Sequence, residues 1–279
     1  MQRSITRKSI NAYKQYLFAA EKAKATVTKY INEAERLAEY LNGNPLNKRA
    51  LLEYRETLAE NFSSRTVNTK LAAINGYLSF IGADEYKVQL LKVQRRAFID
   101  ESRELSAAEY KRLVNAADVG GNDRLSLVMQ TICATGIRIS ELSYITVDAV
   151  KERRIEIRLK GKSRTVIIPS KLCKKLVEYA RRQRIDTGAV FRTKGGKPLD
   201  RANVCHDMKR LCDAAHVERS KVFPHNLRHL FARAFYSIEK NLSHLADVLG
   251  HSSIETTRIY VAASSRQYER MLDKMKLIT

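Results

Sequence analysis

The stretch that decides how this chain is interpreted is residues 224–260, PHNLRHLFARAFYSIEKNLSHLADVLGHSSIETTRIY. His225 and Arg228 are three positions apart, which places both side chains on one face of a helix. Gly250 and His251 end one helical segment and begin another, and Tyr260 follows nine residues after His251. The stretch therefore predicts helices that carry four candidate functional side chains, those of His225, Arg228, His251 and Tyr260.

Two segments nearer the N-terminus complete the pattern. Residues 135–142, TGIRISEL, predict a turn followed by the start of a helix, which aims Arg138 out of the turn. Between residues 152 and 169 apolar and charged side chains alternate on either side of a glycine, which predicts a β-hairpin with residues 160–163 as its turn. Lys160 lies at the tip of this hairpin.

These side chains suit the cleavage of a phosphodiester, which needs a nucleophile, cations around the non-bridging oxygens and a proton for the leaving oxygen. Metal-dependent nucleases supply the positive charge with carboxylate-bound Mg²⁺, and no carboxylate group of that kind stands out in the sequence. We therefore predict an enzyme without a metal or other cofactor. Four cysteines without zinc-finger spacing are expected to be free thiols: Cys133, Cys173, Cys205 and Cys212.

The charge of the chain points to a polyanionic partner. Its 279 residues include 51 Lys and Arg against 30 Asp and Glu, a formal net charge of +21. Both parts are basic, with 17 basic and 10 acidic side chains in residues 1–100 and 34 and 20 in residues 101–279. Nucleic acid is the commonest partner of such a surface. An anionic membrane is the rival, but no lipidation motif, signal peptide or membrane-spanning apolar stretch is present, so we expect a cytoplasmic protein.

The apolar pattern predicts a mostly α fold with two domains. Residues 1–85 show four helical segments with short loops, which predicts a helical N-terminal domain. Residues 86–104 are charged and aperiodic and are expected to be a linker. Ser106 and Glu109 form a capping box that opens the next helix. Residues 105–279 are therefore expected to be a mixed α+β domain of helices with a small antiparallel hairpin.

In order and spacing, these motifs resemble those of the tyrosine recombinase family, which includes phage integrases and Xer-type chromosome resolvases. The family pattern is an Arg in T-G-x-R-x-x-E-L, a hairpin Lys, H-x-x-R, then G-H or G-W, then a Tyr at the spacing seen here. The resemblance covers essentially the whole chain, because the family has a helical core-binding domain ahead of the catalytic one. It implies a site-specific recombinase or mobile-element integrase that cleaves and rejoins DNA through a 3′-phosphotyrosine and a Holliday junction, without ATP.

The resemblance implies roles for the residues that would bind the scissile phosphate and for the nucleophile. Arg138 and Arg228 would bind the scissile phosphate, a task that suits planar guanidinium donors. Glu141 would support the site by orienting Arg138 or a neighbouring histidine. Tyr260 would attack the phosphorus and become joined to the 3′ end of the cut strand.

The remaining roles concern protons and hydrogen bonds. Lys160 would protonate the departing 5′ oxygen, and Lys162 stays the alternative, because Lys160 is preferred only for the glycine that follows it in the family. His225 would act as acid or base near the nucleophile, and His251 would donate a hydrogen bond to the phosphate. No motif includes His229, so a structural role is predicted for it.

The expected partner is double-stranded DNA carrying recombination sites, and an accessory directionality protein is a further candidate. Joining two duplexes requires four active sites, so we expect a homotetramer on synapsed DNA and a monomer in free solution. Residues 264–279 hold an apolar stripe at helical spacing, which by resemblance would tether one protomer to the next; packing within its own domain is the alternative. No membrane partner is expected, and the location would be cytoplasmic and nucleoid-associated.

Three alternative functions are weighed against recombination. An inactive or regulatory DNA-binding protein of the same fold is disfavoured by the complete set of site residues. Type IB topoisomerase-like relaxation uses similar chemistry but is disfavoured by the helical N-terminal domain. An RNA-binding protein would explain the charge but not the motifs.

Overall fold

The computed structural model describes residues 5–93, 100–159, 162–193, 195–261 and 265–275. The chain divides into two units, Met1–Arg95 and Arg96–Thr279, and the division lies inside the segment 86–104. Helices dominate both units, and the described residues include one two-stranded antiparallel sheet. The prediction of a mostly α fold with a small antiparallel hairpin is confirmed.

The first unit consists of four helices, and its core is formed by two clusters of buried apolar side chains. Local signals set their ends, because Thr6 accepts a hydrogen bond from the amide of Ser9 at the first N-terminus and Asn42 adopts a left-handed conformation (φ 43°) at the end of the second helix. The fully buried Leu37 and Leu71 belong to this core. The helices are α1 (Arg7–Ala19), α2 (Lys24–Leu41), α3 (Lys48–Asn61) and α4 (Ser64–Phe80).

The segment after α4 packs back onto that helix. A 3-10 turn, Asp84–Tyr86, leads to Val88, which is buried. The Asn75 side chain exchanges two hydrogen bonds with the backbone of Val88, at 2.8 and 3.1 Å. Asn68 does the same with Leu91, at 2.8 and 2.7 Å. Part of the segment 86–104 therefore belongs to the first unit, because two asparagine side chains replace the hydrogen bonds that a regular element would supply.

The second unit begins its core at the buried Leu105, next to the capping box of Ser106 and Glu109. Its helices are α5 (Ala107–Val119), α6 (Asp123–Thr135), α7 (Val147–Glu152), α8 (Ser170–Arg182), α9 (Arg201–Arg210), α10 (Cys212–Ala215), α11 (Pro224–Glu239), α12 (Leu242–Leu249), α13 (Ile254–Val261) and α14 (Ser265–Lys274). Across the described parts of both units, no helix combines the length and the apolar character needed to cross a bilayer.

A hairpin follows α7. Strands β1 (Arg154–Leu159) and β2 (Lys162–Ile167) pair antiparallel, with Ile155 opposite Val166 and Leu159 opposite Lys162. Ile155, Ile157 and Val166 are buried, so one face of the hairpin packs on the core of the second unit. Because side chains alternate along a strand, Arg164 lies on the same inward face as Val166.

Candidate active site

The first motif lies where α6 ends. Gly136 has a left-handed backbone (φ 67°), and a Cβ there would overlap the ring of Phe231, so this turn accepts only glycine. Arg138 caps the 3-10 turn Ile139–Tyr144. Its backbone N–H donates to Glu141 Oε2 (2.7 Å) and its Nη1 donates to Glu141 Oε1 (2.9 Å). The Glu141 side chain is 1% exposed and that of Arg138 is 40% exposed, so a buried carboxylate holds a guanidinium that stays open to solvent.

Arg228 is a fully buried arginine of α11. Its Nη1 donates to the carbonyl of Gly136, and its Nη2 donates to the carbonyl of Leu249 (2.7 Å). The side chain thus joins the ends of α6 and α12, and the two motifs that contain Arg138 and His251 meet on it. Burial, followed by the charge of Arg138, lowers the pKa of Arg228 to about 10, so the guanidinium remains charged at neutral pH.

His251 follows the left-handed Gly250 that ends α12. Its Nε2 lies 2.9 Å from Arg228 Nη2, and its Nδ1 lies 2.8 Å from Thr257 Oγ1. Arginine can only donate, so Nε2 is the acceptor and Nδ1 carries the proton that binds Thr257. Burial and then the charges of Arg228 and Arg138 lower the pKa of His251 to about 4, which leaves the ring neutral at pH 7.

Tyr260 lies on α13 with 4% of its surface exposed, surrounded by three imidazole rings. The ring centroid of His229 is 4.4 Å from that of Tyr260, and the corresponding distances for His251 and His225 are 5.5 and 5.9 Å. His225, in the first turn of α11, reaches solvent. Although the residue reaches solvent, its ring packs against those of His229 and Tyr260, and this partial burial, followed by nearby positive charge including that of Arg228, lowers the pKa of His225 to about 4. A neutral imidazole at this position can accept a proton.

Arg164 is a member of this group that the motifs did not identify. Its side chain is 12% exposed, and its Nη2 donates to Glu141 Oε2 (2.7 Å). Its Nη1 donates to the carbonyl of Leu249, and a Cβ at Gly250 would overlap its guanidinium. The sequence did offer one indication of Arg164, because the alternation along β2 places this charged residue on the inward face, where apolar side chains are expected. Arg164 therefore connects the hairpin to Glu141 and to the residue before Gly250.

The charges in this region do not balance. Arg138 and Arg164 both bind the carboxylate of Glu141, and the buried Arg228 adds a third guanidinium group close to Arg138. Burial comes first among the causes that lower the pKa of Arg164, and the charge of Arg138 lowers it further. A partly buried cluster of like charges is stabilised by an added anion, and a phosphate fits guanidinium donors well.

Lys160 and Gly161 lie outside the described residues, and of Lys162 only the backbone, which opens β2, is described. Of the predicted site residues that the structure describes, it brings together Arg138, Glu141, Arg228, His225, His251 and Tyr260. Within the described ranges, no three His, Cys, Asp or Glu side chains are arranged to hold a metal ion, and the four cysteines are free thiols.

The first unit carries a groove between α2 and α4. The exposed Lys29 and Arg65 lie on its two helices. Thr26 adds a hydroxyl group to the same lining, whereas the Asn68 amide and the Thr69 hydroxyl are already bonded to the backbone of Leu91 and Arg65. A groove with basic and hydroxyl side chains offers several donors to phosphate oxygens.

Three comparisons place the chain among known proteins. A family model described as the phage integrase family matches residues 103–267. The tyrosine recombinase XerA of Thermococcus kodakarensis is 29% identical over 280 residues, covering 96% of this chain and 95% of that protein.

Two solved structures share the fold. The XerH site-specific recombinase bound to difH substrate, a pre-cleavage complex, matches with a TM-score of 0.69 at 20% identity, over 90% of this chain and 79% of that one. A lambda integrase tetramer bound to a Holliday junction matches with a TM-score of 0.75 at 14% identity, over 93% and 78%. At these identities the similarity concerns the fold.

Proposed function

Since the chain belongs to the phage integrase family and is a site-specific tyrosine recombinase of the Xer-like type, we propose that it cleaves and rejoins DNA through Tyr260. The observation that carries the proposal is the convergence of three imidazoles around one buried tyrosine, with Arg228 bonded to one of them and Arg138 beside Arg228. The regulatory, topoisomerase and RNA-binding alternatives explain the similarity to site-specific recombinases less well than recombination does.

The reaction requires a balanced exchange at phosphorus. Tyr260 Oη attacks, the bond from phosphorus to the 5′ oxygen breaks, and the phosphate remains joined to the 3′ end as a phosphotyrosine. The phenol proton must leave as the new bond forms, and the neutral His225 is the proposed acceptor. The 5′ oxygen needs a proton, which we assign to Lys160. Because the ester keeps the energy of the broken bond, the reverse attack by a 5′ hydroxyl needs no ATP.

The phosphate itself is assigned to Arg138 and Arg228, with Glu141 as the group that orients Arg138. In the DNA-free arrangement His251 Nε2 accepts a hydrogen bond from Arg228, so this nitrogen has no proton to donate. Binding of a phosphate would draw the Arg228 guanidinium toward the anion and release Nε2. A nearby dianionic transition state would then favour a protonated His251 that donates to it. The pair can therefore exchange one internal hydrogen bond for two bonds to the substrate.

DNA binding is assigned to both units. The groove between α2 and α4 and the arginine cluster of the second unit supply basic surfaces, in agreement with a net charge of +21. Phosphate contacts release counterions, so binding should weaken steeply with salt. The proposed substrate is duplex DNA with recombination sites, and the proposed location is the nucleoid in the cytoplasm, with an accessory directionality protein as a further partner.

The proposed assembly is a monomer in solution and a homotetramer on synapsed DNA. Tyr268, Met271, Leu272 and Met275 of the C-terminal segment are each between 46 and 59% exposed, so α14 presents an apolar stripe. A neighbouring protomer is the proposed acceptor of this stripe. Deleting residues 265–279 should leave binding to a single site intact and abolish synapsis, as measured by gel mobility. Normal recombination by the truncated protein would contradict the tether.

The direct test of the nucleophile is a nicked suicide substrate that traps the covalent adduct. Tyr260→Phe should bind this DNA and form no adduct on a denaturing gel. Tyr236→Phe is the matched control, because Tyr236 packs against the same small cluster as Tyr260, and it should form adduct normally. An adduct at full yield with Tyr260→Phe would mean that another residue attacks.

A further inference from the structure

One face of α11 is fastened to residues 103–105, which immediately precede the cap of α5. Asn226 Nδ2 donates to the carbonyl of Arg103 at 2.8 Å. Arg233 Nη2 donates to the carbonyl of Leu105. Between them, His229 Nδ1 lies 3.2 Å from Glu104 Oε1, and Arg233 Nη1 lies 3.1 Å from Glu104 Oε2. The bonded helix residues are three and four positions apart, so they form one stripe on the helix that also carries His225 and Arg228.

Glu104 is the centre of this attachment. Its side chain is 13% exposed and that of His229 is 17% exposed. Burial alone would raise the pKa of Glu104, but the hydrogen bond from His229 and the charge of Arg233 leave it below the ordinary value. An ionised carboxylate can only accept, so Nδ1 of His229 carries the proton. The contact therefore fixes both the tautomer and the orientation of the imidazole.

The held imidazole lies against the proposed nucleophile. Its ring meets the Tyr260 ring edge-on, at 82° between planes, and among the three surrounding imidazoles it has the shortest centroid distance, 4.4 Å. It also meets His225 at 4.7 Å and 69°. A rotation of His229 would therefore displace the phenol and the proposed proton acceptor together.

We propose that Glu104 is a positioning residue for the nucleophile, acting through His229 on the Tyr260 ring and the His225 imidazole. This inference rests on the proposed role of Tyr260. Its logic is that of a buried carboxylate that holds a histidine in one tautomer beside a reacting hydroxyl group. Here the histidine itself does not react; it forms one wall of the space in which the phenol is held.

The same chain contains a second pair of this type that serves as a control. Glu239 Oε1 lies 3.1 Å from His244 Nδ1, with 44 and 51% of the side chains exposed. The His244 ring packs against Phe235, at 5.4 Å between centroids. A change of Glu239 therefore removes an equivalent glutamate–histidine bond at a site whose imidazole packs on another ring.

The test is single-turnover adduct formation on the nicked substrate, with protein in excess over DNA. Glu104→Gln should bind the DNA with unchanged affinity and form the adduct about tenfold to a hundredfold more slowly, by analogy with the loss of a carboxylate that orients a metal-bound imidazole. Glu104→Asp should recover part of the rate, and Glu239→Gln should react at the wild-type rate. In a His229→Phe background, Glu104→Gln should cause little further loss, because the group through which it acts is gone.

A substrate with sulfur in place of the bridging 5′ oxygen separates positioning from a general weakening of the site. A thiolate leaves without a proton, so this substrate restores the rate of a variant that lacks the proton donor. The Glu104→Gln protein should stay slow on it, because its defect concerns the attacking group.

The inference is overturned if Glu104→Gln reacts at the wild-type rate, loses rate only through weaker DNA binding, is rescued by the sulfur substrate, or is matched by Glu239→Gln. If any of these results is obtained while the wild-type protein forms the adduct, only the inference about Glu104 fails and the proposed function is retained. Wild-type protein that forms no adduct at all contradicts the proposed function, and the inference falls with it.

Discussion

Each unit of this chain buries a glutamate between two cations, and the two clusters differ in what they leave over. In the first unit Glu33 binds the buried Lys70 (3.0 Å) and the half-exposed Arg36 (2.8 Å). In the second unit Glu141 binds Arg164 (2.7 Å) and Arg138 (2.9 Å). The Glu33 cluster has one buried cation, Lys70, and one cation at the surface, Arg36. The Glu141 cluster also has two cations, but it lies beside a third, the buried Arg228.

The difference distinguishes a cluster that satisfies its own charges from one that we propose serves a ligand. The Glu33 cluster satisfies itself, because the Lys70 ammonium donates to both carboxylate oxygens. In the Glu141 cluster the buried Nε atoms of Arg164 and Arg228 have no hydrogen-bond partner among the described residues. Unused donors and an excess of positive charge destabilise the empty site and favour an anion. The second cluster is therefore interpreted as a phosphate site.

The largest contrast is expected from replacing the two glutamates. Glu33→Gln leaves the Lys70 charge buried and unpaired, which should lower the free energy of unfolding by about 3 kcal/mol with little change in adduct formation by the folded protein. Glu141→Gln removes the group that orients Arg138 and Arg164, and adduct formation should slow by about a hundredfold. Urea denaturation and single-turnover rates measure the two effects. Equal rate losses in both variants would remove the distinction.

A smaller contrast is expected from the two outer arginines. Arg164→Gln should slow adduct formation by about tenfold, because Arg164 ties the hairpin to Glu141 and to the carbonyl of Leu249 beside Gly250. Arg36→Gln, at an exposed position of the other cluster, should leave the rate unchanged. A wild-type rate for Arg164→Gln would show that the hairpin does not depend on this anchor.

The smallest effect concerns pH. The pKa of His251 falls from 6.5 to about 4 on folding, through burial and the charges of Arg228 and Arg138. Between these values the unfolded chain binds a proton that the folded chain does not, so stability is full above pH 6.5 and decreases as the pH falls toward 4. His251→Gln should flatten this part of the stability curve, and His206→Gln, an exposed control on α9, should not. Identical curves for His251→Gln and wild-type protein would contradict the shift.

The sequence predicted local geometry around the proposed site, whereas the long-range contacts became visible only in the structure. H-x-x-R spacing placed His225 and Arg228 on one helix because helical periodicity is a local property. Nothing local marks the contacts that join Arg164 to Glu141 or Glu104 to His229, since each pair is brought together only by packing. Residues 86–104 carried no periodic signal, yet Val88 is buried and Glu104 is held by α11. Aperiodic sequence indicates irregular backbone, which can still be fixed by side-chain hydrogen bonds.

The most direct test of the account is to locate the residue that is joined to DNA. After trapping on a suicide substrate, trypsin should release the peptide 259–266, whose single tyrosine is Tyr260. Mass spectrometry should find the phosphonucleotide on that tyrosine and nowhere else. A phosphonucleotide on a different residue, with the peptide 259–266 unmodified, would contradict the assignment of Tyr260 as the nucleophile.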